Sequence, residues 1–223
     1  KALFNAIKTL NNYNILSSTF EMGTLTDEQI EELSTNLSSS KTVKNNITSL
    51  INQVITIQGY DDTISVNYEK DHWTETEISY TLKSFKLLNE YQMLDATFDI
   101  GTLTDTQIDS LSENFSSSNT VKDNITPIIN QIITNQGYTD INFTYERDHW
   151  TKDEISHTLK AFKIIAGDDI LVGDNSDKLA HSMSSSVTIN SITKELLEEA
   201  IKSYNYEIEI QVLENEEYAG EAG

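Results

Sequence analysis

The sequence predicts an α+β (or α/β) fold made of tandem units of about 78 residues, each ordered β-α-β-α-β-α. Residues 7–60 recur without a gap as residues 85–138, and residues 71–74 (DHWT) recur as 148–151. Within each copy, segments with helical periodicity alternate with segments of period two. This order predicts a small mixed sheet per unit, with helices packed mainly on one face.

The repeats divide the chain into unit 1 at 1–88, unit 2 at 89–166, and a linker with a truncated, divergent unit 3 at 167–223. Residues 179–186 (LAHSMSSS) match residues 111–118 (LSENFSSS). The chain begins in mid-phase without Met, which favours a processed chain or a piece of a longer array. An atypical last unit is expected because the end of an array needs a polar cap.

Three helices per unit are predicted from their start and stop signals. In unit 1 the first begins after Thr26 in a capping box, the second ends at Gly59, and the third begins after Thr74. The corresponding signals in unit 2 are Thr104, Gly137 and Thr151. An apolar stripe follows each start, so each helix is expected to bury one face.

Strands are predicted between these helices. Ile64, Val66 and Tyr68 alternate with polar residues, which is typical of a half-buried strand. The matching residues are Ile141, Phe143 and Tyr145 in unit 2, and Ile208, Ile210 and Val212 in unit 3. Further short strands are predicted around Val43, Val121 and 187–189, and weaker ones at 16–22 and 94–100.

The composition excludes several classes of protein. The net charge of −21 and the pI near 4.3 argue against binding to a nucleic-acid backbone, which needs clustered Lys and Arg. The absence of Cys excludes disulfides, zinc-thiolate sites and thiol nucleophiles. No apolar run is long enough to span a membrane. The acidic charge favours solubility, a divalent cation or a basic partner.

A secreted or cell-surface location is predicted from the high content of Ser, Thr and Asn. Five Asn-X-Ser/Thr sequons are candidate glycosylation sites. They are Asn36, Asn46, Asn114, Asn124 and Asn142.

The Asp-His-Trp corners are the strongest candidates for ligand binding. They consist of Asp71, His72 and Trp73 in unit 1, and Asp148, His149 and Trp150 in unit 2. Each lies between a predicted strand and a helix start, where an Asp can orient an imidazole that acts as a base or ligand. The alternative is structural: the Trp packs just before the N-cap while Asp and His stabilise the turn.

A calcium site is possible in the linker. Asp168, Asp169, Asp174 and Asp177 offer the oxygen ligands that Ca²⁺ prefers. The spacing is not that of an EF-hand, and a solvated acidic loop is the alternative. No other cofactor is expected.

One short segment resembles a known class of repeat. Residues 23–27 (GTLTD), followed by Gln29, Ile30 and Leu33, resemble repeats in surface lipoproteins of wall-less, AT-rich bacteria. The resemblance carries no function over to this chain.

These observations predict a non-enzymatic extracellular or cell-surface repeat protein that acts as a structural, self-assembling or adhesive module. Its partner would be itself or another surface molecule. The chain has no phosphate-binding glycine loop, Gly-X-Ser-X-Gly or His-Glu-X-X-His motif. One alternative is an acidic binding protein for a basic partner or divalent cation. A second is a metal- or His-dependent enzyme that uses the Asp-His-Trp corners.

Overall fold

The described part of the chain is helical. The computed structural model describes residues 1–60, 64–68, 72–139, 141, 143, 150–167, 174–190 and 195–196. Within these ranges every regular element is a helix and no strand occurs, so the predicted α+β units with a small mixed sheet are wrong. The interpretation of the chain as a β-containing surface repeat is wrong for the same reason.

Eleven α-helices are defined in these ranges. They are α1 (Ala2–Asn12), α2 (Asp27–Ser38), α3 (Lys41–Lys44), α4 (Ile47–Ile57), α5 (Glu75–Glu90), α6 (Asp105–Ser117), α7 (Asn119–Lys122), α8 (Ile125–Asn135), α9 (Lys152–Ala166), α10 (Asp174–Ser185) and α11 (Val187–Asn190). Two 3₁₀ turns, Met22–Thr24 and Ile100–Thr102, precede α2 and α6.

The predicted helix starts and stops are confirmed. Thr26 and Thr104 form capping boxes with the Gln three residues on. Helix α4 ends in a Schellman arrangement, in which Gly59 N–H bonds to Thr56 and the next N–H bonds to Ile55. Gly59 has a φ of 80°, which costs a glycine little. These signals succeed because each depends on only a few consecutive residues.

The segment 64–68, predicted as a strand, has no strand paired with it among the described residues. Its alternation is present, since Ile64 and Val66 are buried. Its middle residue bonds to a side chain of α4: Asn52 Nδ2 donates to Val66 O (2.8 Å), and Val66 N–H donates to Asn52 Oδ1 (2.9 Å). Asn130 and Phe143 repeat this pair in unit 2. One amide therefore replaces a partner strand.

The other strand predictions are wrong where they can be compared. Val43, Val121 and residues 187–189 lie in the short helices α3, α7 and α11. Residues 16–22 and 94–100 form turns that lead into the 3₁₀ turns. Gln58 fixes the first of them, accepting from Met22 N–H and donating to Phe20 O. The predictions at Tyr145 and at 208–212 lie outside the described residues.

The helices stack in a repeating order along the chain. Helix α5 packs between α2 and α6, and α9 packs between α6 and α10. Helices α10 and α11 occupy the places that α6 and α7 hold one unit earlier, so unit 3 begins inside the segment predicted as a linker. The buried apolar side chains form one core that runs through the units.

The Asn52 amide is predicted to stabilise the extended segment. Asn52→Ala leaves the Val66 N–H and C=O groups without their partners, which should lower the free energy of unfolding by about 1–3 kcal/mol. Chemical denaturation measures this change. Asn12→Ala, at an exposed helical Asn, is the control and should shift stability by less than about 0.5 kcal/mol. Equal effects of the two substitutions would contradict the role of the amide.

Candidate functional site

The tryptophans of the two Asp-His-Trp corners are core residues. Trp73 and Trp150 are fully buried, and each indole Nε1 donates a 2.9 Å hydrogen bond to a threonine hydroxyl, of Thr48 and Thr126 respectively. The Tyr68 ring packs edge-on against Trp73 at 5.0 Å between centroids. Each indole thus ties the residues before α5 or α9 to the start of α4 or α8.

The histidine of the first corner lies at the surface. His72 is exposed and its ring lies 5.6 Å from that of Tyr68. Asp71, Asp148 and His149 lie outside the described residues. Within the described ranges, no cluster of three or more His, Cys, Asp or Glu side chains could hold a metal. Ligand binding at the corners stays a prediction.

The predicted calcium ligands are only partly placed. Asp174 is the first residue of α10, and Asp177 is exposed on the same helix. Asp168 and Asp169 lie outside the described residues. A calcium site there therefore stays a prediction.

Four of the five sequons lie in the described ranges. The amides of Asn46, Asn114 and Asn124 each donate to a backbone carbonyl four residues earlier, and Asn36 donates to the Thr9 hydroxyl. Asn142 lies outside those ranges. Glycosylation at these positions stays a prediction.

The most specific polar arrangement is the carboxylate of Glu77, which joins unit 1 to unit 2. Only 5% of Glu77 is exposed. Oε1 accepts from Ser118 Oγ (2.9 Å) and Thr120 N–H (2.8 Å), and Oε2 accepts from Asn119 N–H (3.2 Å). A carboxylate in the first turn of α5 thus caps the first turn of α7 in the next unit.

Glu154 builds the same joint between unit 2 and unit 3. Its carboxylate accepts from Ser186 Oγ at 2.8 Å, from Val187 N–H at 3.0 Å and from Thr188 N–H at 2.9 Å. A threonine of the preceding helix, Thr158, also bonds to Ser186 Oγ. The buried charge is compensated by oriented donors, and among the described residues no Lys or Arg is ion-paired to it.

The sequence contains a signal for this joint that looks like an ordinary helix start. Thr74 and Glu77 match a capping box, and Thr74 does accept from the Glu77 N–H. The Glu77 carboxylate, however, turns to the next unit instead of back to the Thr74 N–H. The same threonine–glutamate spacing at Thr151 and Glu154 behaves identically.

The first short helix has the same donors without the carboxylate. Ser40 is buried and caps α3 through Val43 N–H, as Ser118 caps α7. Across the described ranges, the backbone N–H groups of Lys41 and Thr42 have no acceptor. The donor half of the joint therefore recurs at the start of α3.

Ion pairs connect α2 to α5 in unit 1 and α6 to α9 in unit 2. In unit 1, Lys86 Nζ lies 2.7 Å from Asp27 Oδ1, and Lys83 contacts Glu31. The hydrogen bond from Lys86 lowers the pKa of Asp27, and that from Lys83 lowers the pKa of Glu31. Lys160 lowers the pKa of Asp109 in the same way in unit 2.

Helix α1 presents an apolar face to solvent. Phe4 is 71% exposed, Ile7 48% and Leu3 42%. Phe4 and Ile7 align with Leu82 and Phe85 of α5, which are almost completely buried. Among the described residues α1 packs against α2 and α3, whereas α5 is covered on two sides.

Helix α10 presents a complementary open face. Ser34 of α2 and Ser112 of α6 are completely buried, in helices that pack against α5 and α9 respectively. Ala180 holds the same position in α10 and is exposed. The two ends of the described stack thus expose positions that are buried inside it.

No protein-family model, curated protein or solved structure matches this chain. Across the described residues, no helix combines the length and apolarity needed to cross a membrane.

Glu77→Ala is predicted to loosen the joint. The substitution leaves two backbone N–H groups and a hydroxyl of the next unit without their acceptor, which should cost at least about 2 kcal/mol. Hydrogen exchange should show lost protection in α7. Glu75→Ala is the control, because Glu75 is exposed on the same first turn and makes one side-chain bond to Thr35. Similar losses in both variants would contradict the joint.

The Asp27–Lys86 pair is predicted to couple only when the carboxyl is ionised. Because its folded pKa lies below the ordinary 3.8, its stabilisation is present above that value and is lost as pH falls through the folded pKa. A double-mutant cycle with Asp27→Asn and Lys86→Met should give about 0.2–1 kcal/mol at neutral pH, since Asp27 is largely exposed, and none in strong acid. A cycle of Asp27 with Lys152, which contacts Glu113 instead, is the control. Coupling that survives in acid would contradict this origin.

Proposed function

We propose that this chain is a non-enzymatic structural module that stacks helical units and extends by head-to-tail contact between copies. The observation that carries the proposal is the buried carboxylate joint, which occurs at both unit boundaries with the same donors. Because the same joint recurs, each unit can stack on the next in the same way. A heterologous contact that repeats without closing gives a filament.

The two open faces support contact between copies. Helix α5 lies against α2 as α9 lies against α6, so the same helix–helix contact recurs in both units. The apolar face of α1 corresponds to the face of α5 that packs on α2. The face of α10 around Ala180 corresponds to the face of α6 that packs on α9. Docking α1 of one copy on α10 of another continues the existing interface.

Charge supports the same pairing. Lys8 on α1 aligns with Lys86, which pairs with Asp27, and Asp177 on α10 aligns with Asp109, which pairs with Lys160. Lys8 and Asp177 are exposed. Their opposite signs favour contact between the two faces.

The joint also suits a load-bearing or spacing role. Three hydrogen bonds to one carboxylate, together with a core that continues across the boundary, restrict rotation of one unit against the next. A stiff spacer would act outside the cell or at its surface, the location that the composition favours.

Head-to-tail assembly is predicted to fail when either face is charged. The wild type should show concentration-dependent oligomers in sedimentation and light scattering. Phe4→Glu on α1 and Ala180→Glu on α10 should each give monomers, because each buries a carboxylate in an apolar contact. Leu16→Glu, at another exposed apolar residue, is the control and should assemble normally.

Mixing the two variants gives the sharper result. Each retains one intact face, so an equimolar mixture should form dimers but nothing larger. Circular dichroism verifies that each variant is folded. A wild type that stays monomeric at high concentration, or end variants that assemble like it, would sink the proposal.

A further inference from the structure

A basic cleft lies where α6, α9 and α10 meet. Its volume is about 370 Å³. The residues with ionisable side chains around it are Asp105, His157, Lys160, Lys163, Lys178 and His181. It is separate from the carboxylate joint and from both open end faces.

The charge of this cleft is opposite to that of the protein. The chain carries 36 acidic and 15 basic residues, yet three lysines and two of the four histidines gather here. Lys163 and Lys160 pair with Asp105 and Asp109 at 2.7 Å, but an ammonium has three donors, so further donors remain on each. Lys178 has no ion pair with any residue in the described ranges.

One lining residue carries a buried polar atom with no partner among the described residues. His157 Nδ1 is inaccessible to solvent and has no hydrogen-bond partner in those ranges, although buried polar atoms are nearly always bonded. Its ring meets that of His181 edge-on, with 5.4 Å between centroids. Two imidazoles and Lys178, which has no ion pair among the described residues, therefore line one small volume.

The preceding junction shows that stacking does not require these residues. At the corresponding place between α2, α5 and α6, Tyr80, Ser110 and Glu113 stand where the cleft has His157, Lys178 and His181. All three differences add a basic group or remove an acidic one. The carboxylate joint is the same at both junctions, so the basic residues serve another purpose than stacking.

We infer that the cleft binds a small phosphorylated molecule. A phosphate group offers several strong acceptors and about two negative charges to ammonium and imidazole donors. The volume lies at the lower end of the range of about 300–1,000 Å³ for small-molecule pockets. This site is independent of the proposed head-to-tail assembly.

Phosphate binding is tested on the full chain with inorganic phosphate and pyrophosphate as probes. Calorimetry should show saturable binding, and NMR should show shifts of the His157 and His181 ring signals. The double variant Lys178→Ser, His181→Glu installs the residues found at 110 and 113 and should weaken binding by more than about tenfold, as expected for losing charge-assisted bonds.

A charge-matched variant separates a built site from general electrostatics. Lys44→Ser with Gln53→Glu likewise removes a lysine and adds a carboxylate, away from the cleft, and should bind like the wild type. Equal loss in both double variants, binding that does not saturate, or unshifted histidine signals would overturn the inference. Retained binding in the Lys44/Gln53 variant with loss in the Lys178/His181 variant would establish it.

Discussion

The buried carboxylate of Glu77, repeated at Glu154, is the constraint on which the stacking of units depends. Burying an ionised carboxylate is costly unless donors replace its water. Among the described residues, every donor to these carboxylates apart from Thr81 Oγ1 comes from the following unit: a serine hydroxyl and two N–H groups at the start of α7 or α11. The charge is therefore satisfied only when the next unit is docked. Folding of one unit and its attachment to the next are thermodynamically coupled.

The same economy operates inside each unit. The segments around Val66 and Phe143 have no partner strand among the described residues, so helix side chains form hydrogen bonds to their backbone groups instead. Asn52 bonds to both backbone groups of Val66, and Gln58 bridges Phe20 and Met22. Short extended pieces can then pass between helices without a partner strand. Side-chain amides of helical residues thus satisfy backbone N–H and C=O groups that a neighbouring strand satisfies in a β-sheet.

Local signals in the sequence predicted the helices well, and long-range pairings explain the errors. Thr26 and Gln29 form a capping box that closes within four residues, so the pattern alone determines it. Thr74 and Glu77 show nearly the same pattern, but Ser118 and Thr120, some forty residues later, take the carboxylate. The alternation at Ile64 and Val66 predicted burial correctly, yet whether a strand or Asn52 lay alongside was set by packing.

The two junctions show how an array can vary without losing its architecture. Glu154 and Ser186 retain the bonds of Glu77 and Ser118, while the outer positions change from Tyr80 and its neighbours to a basic cleft. Positions that carry the joint are buried and hydrogen-bonded, so substitution there is costly. Positions at the rim bear little of the stacking energy and are free to acquire a ligand. The carboxylate joint and the proposed phosphate site therefore use different residues, so a substitution in the cleft should leave the joint intact.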